Sequence, residues 1–203
     1  MTPQSGNVFA SDVVDRGPWL FYDRLTTAAA ATTLGSYMFF STPISSTKTA
    51  SDTNLQANRL PPPQAMSVQS VGFIFAPIML FADMWNFMKN YYFQFIIGSK
   101  VFAQGPLHLY PGGGGISAAL ATNSGTAAML QVVNNGDPSL LACRRFPDYP
   151  RIIPANVFFG LNVISGASTF TLAATVASTV VSPAYGGLDV MAVLDGILDR
   201  EVQ

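Results

Sequence analysis

The two residue types that most often carry catalysis or bind metals occur once each in this chain of 203 residues, as His108 and Cys143. A catalytic triad would have to use His108, and the residues around it do not resemble the nucleophile elbow of hydrolases. One imidazole and one thiol are too few ligands for a metal site of the cupin kind. We therefore expect a packed or surface imidazole at His108, a small buried side chain at Cys143, and neither a metal nor an intrachain disulfide.

Four consecutive glycines, residues 112–115, are the next feature with possible chemistry. A phosphate-binding loop needs a lysine and a serine or threonine directly after its glycines, followed by a helix. Here Ile116, Ser117 and Ala118 follow, without a lysine. The glycines therefore predict a tight or mobile turn at the end of a strand, and no cofactor site.

The densest group of charges lies near the end of the chain, at Asp195, Asp199, Arg200 and Glu201. If this segment is a strand, the three carboxylates share one face and Arg200 lies on the other. Two carboxylates could serve a glycosidase, but no other residue predicts a sugar site. We interpret the cluster as protection of an edge strand or as an intersubunit salt bridge. No catalytic, cofactor-binding or metal-ligating residue is assigned, and we expect that the chain is not an enzyme.

The whole composition is poor in charge, with 10 basic and 11 acidic residues, or 10% charged. Soluble domains average about 25%. Interface cores are depleted in charge and enriched in aromatic residues and methionine, and this chain has 15 Phe, 7 Tyr and 8 Met. The composition therefore predicts that neighbouring subunits cover much of the surface. The alternative is a monomer with a neutral surface.

Several classes of partner and location are disfavoured. The net charge is −1, and Arg144 and Arg145 form the only basic pair, so we expect no direct binding of nucleic acid. Residues 1–16 lack the apolar core of a signal peptide. The apolar stretch at 71–88 is interrupted by Pro77 and Asp83, which argues against a membrane span. We therefore expect synthesis in a cytoplasm.

Alternating apolar residues and turn signals predict a β-rich chain. We expect an extended N-terminal arm at 1–17, ended by Gly17 and Pro18, and a single domain at 18–203. A long loop is predicted at 41–65, a short helix at 78–90 and a bulge or close approach at Gly196. Strands are predicted at 19–22, 35–41, 67–76, 91–101, 140–144, 151–153, 157–164, 169–181 and 188–202.

This pattern indicates an all-β fold of about eight antiparallel strands with one short helix and long loops. Regular alternation of strands and helices does not occur, which disfavours a parallel α/β sheet. Short strands separated by Gly, Pro and Ser are typical of a sandwich or barrel, and eight strands in two sheets form a jelly roll. A single jelly roll is our preferred architecture, because the chain is too short for two.

Three segments resemble the small single jelly-roll capsid proteins of tailless, icosahedral bacterial viruses. They are 93–115 (FQFIIGSKVFAQGPLHLYPGGGG), 151–163 (RIIPANVFFGLNV) and 193–203 (VLDGILDREVQ), together about a quarter of the chain. The shared features are a strand ending in lysine, a Gly-Pro-Leu step, a Pro-Gly-rich loop, an Ile-x-Pro entry into a strand, and a final strand running to the terminus. None of them is a catalytic signature.

The resemblance implies a major or minor capsid subunit that assembles with copies of itself, and with other capsid proteins, into an icosahedral shell. It places the chain in the virion, assembled in the host cytoplasm, and leaves open an internal membrane beneath the shell. It also implies that residues 1–17, 41–65 and 112–135 contact neighbouring subunits. Two alternatives remain: a spike or vertex module that binds a receptor or glycan, and a non-viral jelly-roll module.

Overall fold

The computed structural model describes residues 14–27, 34–76, 81–110, 117–122, 129–134, 144–146, 149–166 and 187–201. Within these ranges the chain forms one α-helix, α1 (Phe81–Asn90), a short 3-10 turn (Leu107–Leu109), and eleven β-strands. The strands are β1 (Val14–Thr27), β2 (Tyr37–Phe39), β3 (Ala65–Phe75), β4 (Tyr91–Ile97), β5 (Lys100–Pro106), β6 (Ser117–Thr122), β7 (Met129–Asn134), β8 (Arg144–Arg145), β9 (Arg151–Ile153), β10 (Phe159–Ser165) and β11 (Leu188–Glu201). The predicted strand at 169–181 lies outside the described residues.

The strands form two main antiparallel sheets and one hairpin. The first sheet has the order β1-β11-β3-β8, and the short β9 also pairs with β3. The second sheet has the order β2-β10-β4-β5, and β6 pairs with β7 separately. Every described pairing is antiparallel. The predicted all-β class, with antiparallel sheets and one short helix, is confirmed.

The core lies between the two sheets and is mainly aromatic. The ring of Phe73 in β3 lies 6.0 Å from Phe39 in β2 and 5.8 Å from Phe93 in β4, measured between centroids. Phe21 in β1 lies 5.8 Å from Phe159 in β10 in the same way. The two contacts of Phe73 are edge-to-face, a favoured aromatic geometry. Each sheet therefore turns one apolar face inward and has an outer face opposite the core.

The helix α1 closes one end of this core. Met84, Phe87 and Met88 recur at helical spacing and are buried. The Phe87 ring packs 6.3 Å from Phe75 and 4.8 Å from Tyr91. The predicted helix at 78–90 is confirmed from Phe81 onward, and residues 77–80 lie outside the described part. No helix in the described residues is long and apolar enough to cross a membrane.

The first strand begins earlier than the predicted domain. Strand β1 starts at Val14 and pairs with β11 through Gly17 and Pro18 without a break, so those two residues do not end an arm. Pro18 has no backbone N–H group. It is tolerated because β1 is the outermost strand of its sheet, so the missing donor does not remove a hydrogen bond to a second neighbouring strand. Residues 1–13 of the predicted arm lie outside the described residues.

The single strand predicted at 91–101 is wrong, because the chain reverses at Gly98. Gly98 adopts φ +62°, a left-handed conformation that glycine takes without steric cost, and its N–H donates to the carbonyl of Phe158 at 2.7 Å. The turn separates β4 from β5, which then pair as a hairpin. One predicted strand therefore becomes two neighbouring strands of the second sheet, the inner strand β4 and the outermost strand β5.

The predicted irregularity at Gly196 is confirmed. The β3–β11 register shifts between Asp195 and Gly196, and a Cβ atom at Gly196 would overlap the carbonyl oxygen of Ser67. The shift also changes the faces of β3. Strict alternation would place Val68 and Val71 on opposite faces, but the extra residue between them turns both side chains into the core, where each is 0% exposed.

Candidate interaction surface

The residues with possible chemistry do not come together in the described structure. His108 lies exposed in the 3-10 turn, next to Leu109, which is 53% exposed. Asp195 lies in the middle of β11, opposite Leu20 and Ser70 in the neighbouring strands. Residues 112–115 and Cys143 are outside the described ranges, and of Glu201 only the backbone is described. Among the described residues, no three His, Cys, Asp or Glu side chains could hold a metal ion.

Three charged residues of β11, namely Asp189, Asp199 and Arg200, form ion pairs with the neighbouring strand β1. The guanidinium of Arg16 donates to Asp199 at 2.7 and 3.0 Å, and that of Arg24 binds Asp189 through both carboxylate oxygens. The hydrogen bond from Arg16 lowers the pKa of Asp199 below its usual value. These side chains lie on the outer face of the first sheet, which we call the charged face. Asp199 and Arg200 thus pair within the chain, Arg200 with Asp15 at 2.9 Å.

Part of the outer edge of β1, at residues 20–24, is covered by the long loop of the same chain. The N–H of Arg24 donates to the carbonyl of Asp52 at 2.8 Å. The side chain of Asn54 accepts from the N–H of Tyr22 at 3.1 Å and donates to the carbonyl of Leu20 at 2.7 Å. Covering an edge in this way prevents unwanted pairing with another chain. At least this part of the predicted loop at 41–65 has an intramolecular role.

A buried ion pair holds the loop in place. Asp23 is 0% exposed, and its carboxylate accepts from Lys48 and from the N–H of Phe40, the latter at 2.7 Å. Phe40 has φ +63°, an unusual conformation for a residue other than glycine. Burial alone would lower the pKa of Lys48, but its contacts with Asp23 and Tyr37 outweigh burial and raise it. The pair therefore fastens the loop and the turn after β2 to β1.

The outer face of the second sheet has a different character. Its ten positions follow from the strand register and form three rows across the sheet. The middle row consists of Met38, Asn162, Gln94 and Gln104. One flanking row consists of Gly160, Ile96 and Val101, and the other of Ile164, Tyr92 and Pro106. None of the ten is charged, and we call this surface the uncharged face.

The uncharged face combines apolar side chains with carboxamides. Tyr92 is 37% and Val101 46% exposed. The amide nitrogen of Gln94 lies 3.4 Å from the side-chain oxygen of Gln104 across the strand pair. Antiparallel sheets with one face in water usually alternate apolar and polar residues. In β4 and β10, two outward positions are instead Ile96 and Ile164. On the outer face of the second sheet, each of the two rows that flank the middle row therefore contains an aliphatic side chain.

The uncharged face borders an edge that no described strand covers. Strand β5 is the last strand of the second sheet, and among the described strands only β4 pairs with it. Its first residues are exposed, including Val101 and Phe102, the latter 38% exposed. Natural sheets usually blunt such edges with charge, proline or short length. Here Lys100 and Pro106 stand at the two ends of the strand, and the centre carries no charge.

Sequence reasoning did not identify this surface. The alternation in residues 91–97 was sufficient to separate Phe93 and Phe95 from Gln94 and Ile96. The alignment of the carboxamides Asn162, Gln94 and Gln104, however, depends on three strands. One of these strands, β10, begins more than 60 positions after the end of β4. A search for carboxamides and aliphatic residues at the outward positions of predicted strands would have been the available signal.

The chain was also compared with protein-family models, with curated proteins and with solved structures. None of the three comparisons gave a match. Its function has to be inferred from its own geometry, and the contrast between the charged and the uncharged face is the most informative part of that geometry.

Proposed function

We propose that this chain is a structural subunit of a viral shell, a major or minor capsid protein that associates with copies of itself, and that it is not an enzyme. We further propose that its fold is a single jelly roll. The observation that carries the functional proposal is the uncharged face. None of its ten outward positions is occupied by Asp, Glu, Lys or Arg.

The order of the strands supports the jelly roll. If the hairpin β6–β7 is set aside and β8 and β9 are counted as one strand, eight strands remain, in the orders 1-8-3-6 and 2-7-4-5. Strands that follow one another in sequence mostly lie in different sheets, while the first and last are neighbours. Two interlocked Greek keys produce this kind of order.

The distribution of charge supports association. The chain has 21 charged residues in 203, the sum of 10 basic and 11 acidic. Several of those described are neutralised within the chain, as in the pairs of Arg16 with Asp199 and Arg24 with Asp189. A surface that a protein keeps in water is normally rich in charge. An uncharged surface beside a strand edge that no described strand covers is instead typical of a surface that meets a neighbouring subunit.

The proposed mechanism is association rather than chemistry. Each contact removes apolar surface from water, at about 25 cal/mol per Å², less the cost of ordering the partners. Contacts that repeat with closed symmetry then form a shell. Other capsid proteins, and a membrane beneath the shell, are further proposed neighbours. Nucleic acid is not one of them, because the chain offers too few basic residues.

The test is the state of the purified full chain over a wide range of concentration. Sedimentation velocity and negative-stain microscopy should show concentration-dependent growth into rings, sheets or closed shells. A chain that stays monomeric up to the highest soluble concentration would overturn the proposal. Binding on a glycan array by such a monomer would favour the alternative of a spike or vertex module.

A further inference from the structure

We infer that the uncharged face packs against the same face of a second copy of this chain, with the two copies related by a two-fold axis. The inference rests on the proposed function, because it names one contact by which the shell subunits associate. It commits to a copy of the same chain as the occupant, and three features of the face support that choice.

The first feature is the apolar character of the flanking rows. Ile96 and Ile164 occupy outward positions in adjacent strands, where water would favour polar side chains. Phe158 and Met38 also cover Gly160 from this side, since a Cβ atom there would lie 3.4 Å from each of their side chains. Such a surface gains most when a second apolar surface covers it.

The second feature is the absence of charge. In a two-fold contact, a residue close to the axis meets the same residue of the second copy. A charged residue there would therefore be repelled by its counterpart. A partner that is acidic or basic would in turn be recognised by opposite charges on this face. The ten positions provide neither sign, and this neutrality fits a second neutral surface such as the face itself.

The third feature is the carboxamide row. Asn162, Gln94 and Gln104 are aligned across three strands. A carboxamide both donates and accepts hydrogen bonds, so a row of carboxamides can pair with an identical row turned by 180°. Ionised side chains lack this property, because a carboxylate only accepts and an ammonium group only donates. The row is therefore self-complementary in chemistry as well as in charge.

The size of the face predicts a weak contact. Strands β4, β5 and β10 have seven residues each and β2 has three. With strands about 4.8 Å apart and about 3.3 Å per residue, the patch measures roughly 380 Å² per copy. That is less than half of the roughly 800 Å² that a stable interface buries on each partner. We therefore expect association through this face at high concentration, or together with other contacts in a shell.

Charge complementation tests the inference directly. Gln94→Glu and Gln94→Lys each place a like charge in both copies of the middle row. Each variant alone should raise the concentration needed for half-maximal association by about tenfold or more. An equimolar mixture of the two variants should recover association, because opposite charges then meet. Sedimentation velocity of the full chain measures all three states.

Matched variants on the charged face provide the control. Thr26 is exposed on β1, so Thr26→Glu and Thr26→Lys carry the same charges on the other sheet. They should associate as the unmodified chain does. Circular dichroism and thermal unfolding check that each variant is folded. If the Gln94 variants unfold, the same pair of substitutions at the exposed Gln104 replaces them.

The outcomes separate the inference from the proposed function. If the unmodified chain assembles and the Gln94 variants assemble equally well, the inference fails while the shell proposal stands. Loss of association without recovery in the mixture also overturns it, because the face then meets a different surface. If the unmodified chain does not associate at all, both proposals fail together.

Discussion

The two outer faces of this sandwich differ in where they keep charge and in how their edges end. The charged face carries the paired carboxylates Asp189 and Asp199, and the loop around Asn54 covers the edge of its strand β1 at residues 20–24. The uncharged face carries carboxamides and aliphatic residues, and no described strand covers the edge of β5 beside it.

This difference shows that a low overall charge is not spread evenly. Exposed ion pairs contribute little to stability, but they keep a surface hydrated and discourage association. An outer sheet face without charged positions, such as the uncharged face, is free to meet a neutral neighbour.

The largest effect is expected from Asp23→Ala, which removes the buried partner of Lys48 on the covered side. The variant leaves a largely buried ammonium group and the N–H of Phe40 without their acceptor. We expect a loss of about 3–5 kcal/mol in the free energy of unfolding, measured by urea denaturation. Increased association should accompany it, because the loop then uncovers the edge of β1.

Two further variants show whether the loss in the free energy of unfolding comes from the buried ion pair. Asp23→Asn keeps an oxygen that can accept from Phe40, so its loss should be smaller than that of Asp23→Ala. Asp199→Ala removes an aspartate from an exposed pair and should cost far less than either. Equal losses for Asp23→Ala and Asp199→Ala would show that the buried pair does not hold the loop.

A smaller effect is expected at the uncovered edge. Val101 in β5 is 46% exposed and Leu20 in β1 is 45% exposed, so Val101→Lys and Leu20→Lys form a matched pair. Val101→Lys should weaken association by about tenfold, because lysine is a residue that natural edge strands use to prevent pairing. Leu20→Lys should leave association unchanged.

Both lysine variants should keep their stability within about 0.5 kcal/mol, as exposed substitutions usually do. Urea unfolding at a concentration where the chain is monomeric checks this, and sedimentation velocity checks association. If the two substitutions weaken association equally, the two sides do not differ in the way proposed here.

The smallest effect concerns the pKa of Asp199 on the charged face. Arg16 holds that pKa below its usual value, so Arg16→Gln should raise it toward the ordinary range. Because the folded pKa is the lower one, the pair stabilises the fold above the unfolded pKa, and that contribution disappears as the pH falls through the folded pKa. Carbon-detected NMR titration of the side-chain carboxyl follows the change. An identical titration in both proteins would contradict it.

Much of the fold could be predicted because local patterns and tertiary packing agree. In residues 157–164 the alternation of buried and less buried positions matches β10, and the change of period near residue 81 matches α1. The two-sheet class followed from many short strands without regular helices. These signals depend only on neighbours along the chain, and that is why they were sufficient.

The errors occurred where a single residue changes the direction or the register of a strand. Gly98 reverses the chain inside an apolar run, and no proline or asparagine marks the turn. The extra residue beside Gly196 moves Val68 onto the core face, which strict alternation does not anticipate. Strand β1 continues through Gly17 and Pro18 because its outer edge requires no partner strand there.

The candidate surface was less predictable than the fold. Low charge predicted that some surface is covered, but not which one. The loop at 41–65 was expected to contact neighbouring subunits, and part of it lies on β1 of its own chain, held by Asn54 and Lys48. The uncharged face depends on which strands are adjacent, and adjacency is set by the complete sheet rather than by any one segment.

The backbone crossing at Gly196 has a consequence for how this protein can change over evolutionary time. Since the carbonyl of Ser67 occupies the space of a side chain there, every substitution would have to push two strands apart. Position 196 should therefore tolerate no mutation in a saturation library, while its neighbours in β11 accept many. A glycine five residues before the final acidic position of the last strand is accordingly a useful marker for recognising distant descendants whose remaining residues have drifted.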